Sequence, residues 1–171
     1  GGPESWHPNP DFLFAHGAGP LFDMGPYYVT TLVHAFGSAS RVHAVSSRSV
    51  ATRTIATGPR AGETFPVEVP THHAALIEFD GGQSAQSTFS FQHALPRMGF
   101  VEVNGTEGTI VLPDPNTFGG GHPIRIARPI TADATFPFSQ DFDVLLDEEP
   151  TVGRGLGVLD MARAIRGGGS H

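Results

Sequence analysis

The side chains best suited to proton handling or polar recognition crowd the first 28 residues: Trp6, His7, His16, Asp23, Tyr27 and Tyr28. A carboxylate such as Asp23 can accept a proton or orient a neighbour. A phenol such as Tyr27 can relay a proton or hold a hydroxyl, but its ordinary pKa of about 10 makes it a poor base alone. Each has a plainer reading. Asp23 in a first helical turn is favoured there by the helix dipole alone. Tyr27 and Tyr28 can be packing aromatics. Trp6 and His7, in a Pro-rich stretch, can be structural cover, and His16 is open to the same reading.

Other chemistries find no support. All ten basic residues are Arg, so no lysine base or Schiff base can come from this chain. The absence of Cys removes disulfides, zinc–thiolate sites and thiol nucleophiles. Nine His invite a metal reading. However, His72 and His73 are neighbours on a strand-like run and point to opposite faces. The remaining His show no H-x-x-x-H spacing, so no metal is expected. No G-x-S-x-G run supports a hydrolase triad.

Composition narrows the class further. The net charge of −7 argues against a nucleic-acid partner, which would need a basic face. No apolar stretch approaches the ~20 residues of a membrane helix, and no basic start with an apolar core marks a signal peptide. These features lead to the expectation of a cytoplasmic protein with neither membrane nor nucleic acid as partner. A chain of 171 residues suits one domain with a real core, set at residues 1–166. The tail 167–171, Gly-Gly-Gly-Ser-His, reads as a linker or tag remnant.

The elements that must position these residues follow from periodicity. Residues 1–19, with Pro3, Pro8 and Pro10, read as an irregular lead-in lying on the domain. A helix is expected from Pro20, a good first helical residue, to about Ala35. Its buried stripe is Leu21, Met24, Tyr28, Leu32 and Ala35, with Gly37 as C-cap. Pro26 is awkward inside it. Strands are expected over 41–50, 65–69, 71–79, 83–91, 100–103, 109–112 and 123–128, and a second helix over 155–166. In the 71–79/83–91 hairpin, directly opposed residues must share a face. A three-residue loop, Asp80-Gly81-Gly82, satisfies this by pairing Phe79 with Gln83 and His73 with Phe89. In the 100–112 hairpin the loop is Asn104-Gly105-Thr106-Glu107-Gly108. Helix, antiparallel strands, helix predicts an α+β domain, one open and mostly antiparallel sheet with helices packed on one face. The other face then reads as an interface for homo-oligomers or another domain.

Four segments carry a resemblance to a known family. Residues 17–27, Gly-Ala-Gly-Pro-Leu-Phe-Asp-Met-Gly-Pro-Tyr, resemble the catalytic segment of Gfo/Idh/MocA oxidoreductases. Residues 101–109, Val-Glu-Val-Asn-Gly-Thr-Glu-Gly-Thr, the Asp80-Gly81-Gly82 hairpin and the run Met161-Ala162-Arg163-Ala164-Ile165 are similar to three later segments in the same order. The resemblance covers roughly residues 3–166. It implies a C-terminal sheet domain that helps build the substrate pocket, beside an N-terminal Rossmann domain that binds NAD or NADP and supplies a catalytic lysine. It places Asp23 on the family's aspartate and Tyr27 where a histidine is usual. It also makes Trp6, His7, His16 and Tyr28 candidates for sugar contact, through stacking or a hydroxyl hydrogen bond. No G-x-G-x-x-G follows a strand near the start, and no βαβ alternation appears. The three glycines at 119–121 sit between Pro-rich segments, not between a strand and a helix.

The expectation is therefore the substrate-binding and oligomerisation domain of an NAD(P)-dependent sugar or polyol dehydrogenase. It would have no cofactor site of its own and no activity without a Rossmann domain, in the same chain or docking as another. A rival reading is a non-catalytic module, stand-alone or engineered, whose sheet serves self-assembly or small-ligand binding.

Overall fold

The computed structural model describes residues 2–93, 101–116, 124–128, 153 and 155–168. The three glycines at 119–121 and the end of the tail lie outside the described residues. The fold is α+β, with every described strand pairing antiparallel. The chain divides into two compact units, Gly1–Met98 and Gly99–His171.

In the first unit, two short 3-10 turns at Pro3–Ser5 and Asp11–Leu13 lead to α1 (Pro20–Phe36). Pro20 stands at the first helical position, and Gly37 closes the helix with φ +81° and its N–H on the Val33 carbonyl at 2.8 Å. Pro26 is inside the helix, where it deprives the Phe22 carbonyl of its usual donor. Five strands follow: β1 (Ala39–Ser47), β2 (Thr52–Thr54), β3 (Thr64–Pro66), β4 (His72–Phe79) and β5 (Ser84–Ser90). They form a three-stranded sheet ordered β1-β4-β5 and a separate pair β2-β3. The expected single sheet is thus divided. The expected strand at 41–50 starts two residues earlier and ends at Ser47. That at 65–69 shortens to β3, with Pro66 on a two-stranded edge where its missing N–H costs no inner ladder bond.

The β4–β5 hairpin has the expected register. His73 pairs with Phe89 and Glu78 with Ser84, while the Phe79 N–H meets the Gln83 carbonyl at 2.9 Å. Gly82 turns the loop at φ +86°, a conformation open to glycine at no steric cost. α1 lies over the face bearing Ile77, Phe79 and Phe89, with Phe36 against Phe79 at 5.4 Å between centroids. The expected buried stripe is only half-buried at Met24, Tyr28 and Leu32; Leu21 and Ala35 at its ends are exposed, and half-buried Phe36 takes the place of Ala35 by packing on Phe79. Between α1 and the sheet lies an apolar crevice of about 260 Å³, whose lining includes Leu21, Val33, Val42 and Ala44. On the sheet's other face, Val45 on β1 and Leu76 on β4 are 70% and 57% exposed.

The main apolar cluster is elsewhere. Leu13 and Phe14 from the lead-in meet Ile55, Phe65, Val67 and Phe91, and Phe14 has no exposed surface at all. The lead-in is therefore a structural strap that contributes a fully buried side chain to the core of the unit.

The second unit contains β6 (Val101–Gly105), β7 (Gly108–Leu112), β8 (Arg125–Ala127) and α2 (Leu156–Gly167). The strands form one sheet in the order β6-β7-β8. The β6–β7 turn is tighter than expected: Gly105 pairs with Gly108, leaving only Thr106 and Glu107 between. Gly108 has φ +153°, and a Cβ there would collide with the Ala127 carbonyl, so the close approach of β8 to the start of β7 requires glycine.

Candidate functional site

The catalytic candidates sit at the start of α1, and glycines aim that start. Gly17 and Gly19 have φ +87° and +105°. A Cβ on Gly19 would also press on the Pro70 carbonyl at 3.2 Å and Val69 Cγ2 at 3.3 Å. The Gly19 N–H bonds to the Leu13 carbonyl and the Asp23 N–H to the Gly19 carbonyl, both at 3.0 Å. The strap, the β3–β4 connection and the helix are thereby locked at one point.

Asp23 lies in the first turn, with its residue exposed. Burial of the carboxyl by its surroundings nevertheless holds its pKa above the ordinary carboxylate value, against the pull of the helix dipole. Tyr27 is half-buried one turn later, so its side chain shares a helical face with Asp23, with Cβ atoms about 5–6 Å apart by helix geometry. The Tyr27 carbonyl accepts the Thr31 hydroxyl at 2.8 Å. Tyr28 turns to the sheet and packs on Phe89, 5.8 Å between centroids.

The strap carries the remaining candidates. Trp6 is 65% exposed. His7 is held edge-on between Trp6 and Phe12, at 5.5 and 5.4 Å between ring centroids. Its Nδ1 accepts the Asn9 N–H at 3.0 Å, which leaves Nε2 to carry the proton of the neutral ring and to donate to a ligand hydroxyl. His16 is exposed, and its backbone N–H is held by Glu68 Oε2 at 3.0 Å. The structure thus brings the rings of Trp6 and His7 together and sets Asp23 and Tyr27 one helical turn apart on α1. Among the described residues, no hydrogen bond or ring contact joins the first pair to the second.

Long-range anchors of the strap escaped sequence reasoning. Arg60 grips Asp11 with both nitrogens of its fork, at 2.8 and 2.9 Å. Its guanidinium holds the Asp11 carboxyl below the usual carboxylate range. Arg53 pairs with Glu4 in a largely buried contact. No local pattern in the sequence marks pairs 49 residues apart.

No group of three or more His, Asp or Glu that could hold a metal occurs among the described residues. All their strand pairs are antiparallel, so a dinucleotide cradle of the βαβ kind is not built from them. No described helix is long and apolar enough to cross a membrane.

Residues 2–111 match the profile of the family described as GFO/IDH/MocA C-terminal domain. No curated protein matches the chain. Among solved structures, it resembles an NAD binding oxidoreductase from Klebsiella pneumoniae at 26% identity and TM-score 0.53, over 66% of this chain and 28% of that one. Levoglucosan dehydrogenase in its apo form matches at 21% identity and TM-score 0.66, over 98% of this chain and 49% of that one; it is also solved in complex with NADH and levoglucosan. An oxidoreductase domain protein from Kribbella flavida matches at 20% identity and TM-score 0.60, over 97% and 49%. The chain spans half or less of the length of these structures.

Proposed function

We propose that this chain, which belongs to the GFO/IDH/MocA C-terminal domain family, is the substrate-side part of an NAD(P)-dependent oxidoreductase acting on a sugar or polyol. The observation that carries this reading is the Asp23–Tyr27 pair. It lies on one helical face, aimed by the Gly17–Gly19 turn and within the residues that match the family.

In this account, Asp23 and Tyr27 attend the hydroxyl whose proton leaves on oxidation. A carboxyl with a raised pKa exchanges protons closer to neutrality than an ordinary aspartate does, and the Tyr27 phenol relays or holds that proton. Trp6 offers an exposed ring to a sugar face, and His7 Nε2 donates to a hydroxyl; His16 and Tyr28 are peripheral contacts. The nicotinamide supplies hydride transfer. Its site is assigned to a Rossmann domain in the same protein or in a partner chain, so the chain alone is expected to be inactive. Levoglucosan dehydrogenase, solved with NADH and levoglucosan, supports the substrate class.

Calorimetry tests this division. The purified chain should bind sugar alcohols and give no heat with NAD(H) or NADP(H). Adding a nucleotide-binding domain of this family should restore turnover, and Asp23→Asn and Tyr27→Phe should abolish it. Tight nucleotide binding by the chain alone would overturn the account.

The sheet face opposite α1 supports a second role, homo-oligomerisation. Val45 and Leu76 stand exposed there, and such apolar surface commonly marks an interface. A non-catalytic assembly module would use the same face. Turnover on adding the nucleotide domain separates the two readings, and a clean monomer by light scattering at micromolar concentration would contradict oligomerisation.

A further inference from the structure

Beneath the strap is a polar node within an otherwise apolar region. Arg53 is 10% exposed and Glu4 16%. Arg53 Nη1 donates to Glu4 Oε1, and Nη2 donates to Gln92 Oε1 at 2.8 Å. Gln92 in turn donates to the hydroxyl of Thr71, which is fully buried. The guanidinium lies over the Phe14 ring, 5.2 Å from its centroid. One side chain on β2 therefore touches the strap at Glu4, just before Trp6, and at Phe14, just before the glycine turn into α1. It also reaches Gln92, two residues past the end of β5.

The node is poorly arranged for stability alone. Among the described residues, Glu4 Oε2 and Arg53 Nε are buried without a hydrogen-bond partner, and orphaned polar atoms are costly inside a protein. Buried ion pairs are often matched or exceeded in stability by apolar replacements, and their best-attested use is to fix one arrangement over others. The planar fork suits that use, because its donors point in set directions. Gly2 covers the node so closely that a Cβ there would strike the Glu4 carboxylate and approach the Phe91 carbonyl at 2.8 Å.

We propose that Arg53 is a positioning residue, which fixes where the strap presents Trp6 and His7 to a polyol. The polyol part rests on the function proposed above; the placement of the strap does not.

Trp6 is the single tryptophan of the chain, so its fluorescence anisotropy reports the strap directly. The Ala56 and Glu68 N–H groups, which bond to the Glu4 and Phe14 carbonyls at 2.9 Å, report its seating through hydrogen exchange. The test compares Arg53→Met with the double variant Glu4→Leu/Arg53→Met. The single variant leaves a buried carboxylate unpaired and should lose stability throughout. The double variant should regain the wild-type melting temperature. Its Ala56 and Glu68 amides should still exchange about tenfold faster relative to the β4–β5 ladder, a local opening, and Trp6 anisotropy should fall. Wild-type anisotropy and protection in a stable double variant would overturn the proposal, since apolar packing would then place the strap unaided. If the double variant does not fold, Arg53→Lys, which keeps the charge and loses the fork, takes the same readouts with the same expected and contrary results. Sugar-alcohol titrations run in parallel. A wild-type chain that binds none would sink the proposed function, while exchange and anisotropy would still decide the role of Arg53.

Discussion

The ring of Tyr28 lies against that of Phe89, with centroids 5.8 Å apart and planes inclined at 54°. Together with Phe36 against Phe79, this contact sets the rotation of α1 on the sheet. Successive helical residues are about 100° apart, so seating Tyr28 on the sheet turns Tyr27 to a different side, and Asp23, one turn before Tyr27, goes with it. The packing tyrosine thereby aims the proposed chemical one.

Phe89→Ala should lower the unfolding free energy by about 3 kcal/mol, as expected for emptying a buried aromatic site. Urea denaturation followed by circular dichroism measures it. Tyr27→Phe should change stability by less than ~0.5 kcal/mol, in the range of peripheral substitutions, while removing the proposed proton contact. A loss at Tyr27→Phe equal to that at Phe89→Ala would mean that Tyr27 is the packing residue.

Gly19→Ala should cost about 1–3 kcal/mol, because alanine is strained at φ +105° and its Cβ also meets the Pro70 carbonyl and Val69. Gly81→Ala makes a useful contrast. Its φ is not in the left-handed region, and its Cβ would meet only the end of the flexible Gln83 side chain. Equal losses at the two positions, measured by thermal unfolding, would contradict the argument from backbone strain.

Asp23 gives a pH prediction with a definite sign. Its folded pKa lies above the ordinary aspartate value of 3.8, so the folded chain holds its proton more tightly than the unfolded chain does. Relative to Asp23→Asn, the wild type should be favoured below pH 3.8. It should lose that advantage as pH rises through the interval from 3.8 to the raised folded value, and stay level above it. Solvent screening at this exposed residue keeps the change within about 1 kcal/mol. Denaturant midpoints of the two proteins across pH 3–8 check the slope; the opposite slope would mean that the helix dipole outweighs burial.

Several of these features were legible in the sequence for stated reasons. The β4–β5 register followed from requiring His73 and Phe89 to share a face, and the ends of α1 followed from Pro20 and Gly37. The pairing of Thr52–Thr54 with Thr64–Pro66 was hidden, because three-residue strands are too short to show an alternation. The burial of Phe14 was hidden as well. Its partners Ile55, Phe65, Val67 and Phe91 all lie more than 40 residues away along the chain, and its own neighbourhood reads as irregular. Asp23 and Tyr27 were found through family resemblance, not through spacing alone. The anchors Arg53–Glu4 and Arg60–Asp11 needed the fold.

The most direct test of the account is an amide chemical-shift map of the purified chain titrated with a sugar alcohol. Saturable shifts should concentrate at Trp6, His7, Asp23 and Tyr27 and diminish in Asp23→Asn. Saturable shifts centred elsewhere, or none at these four residues up to high ligand concentration, would contradict the claim that this chain carries the substrate side of the enzyme.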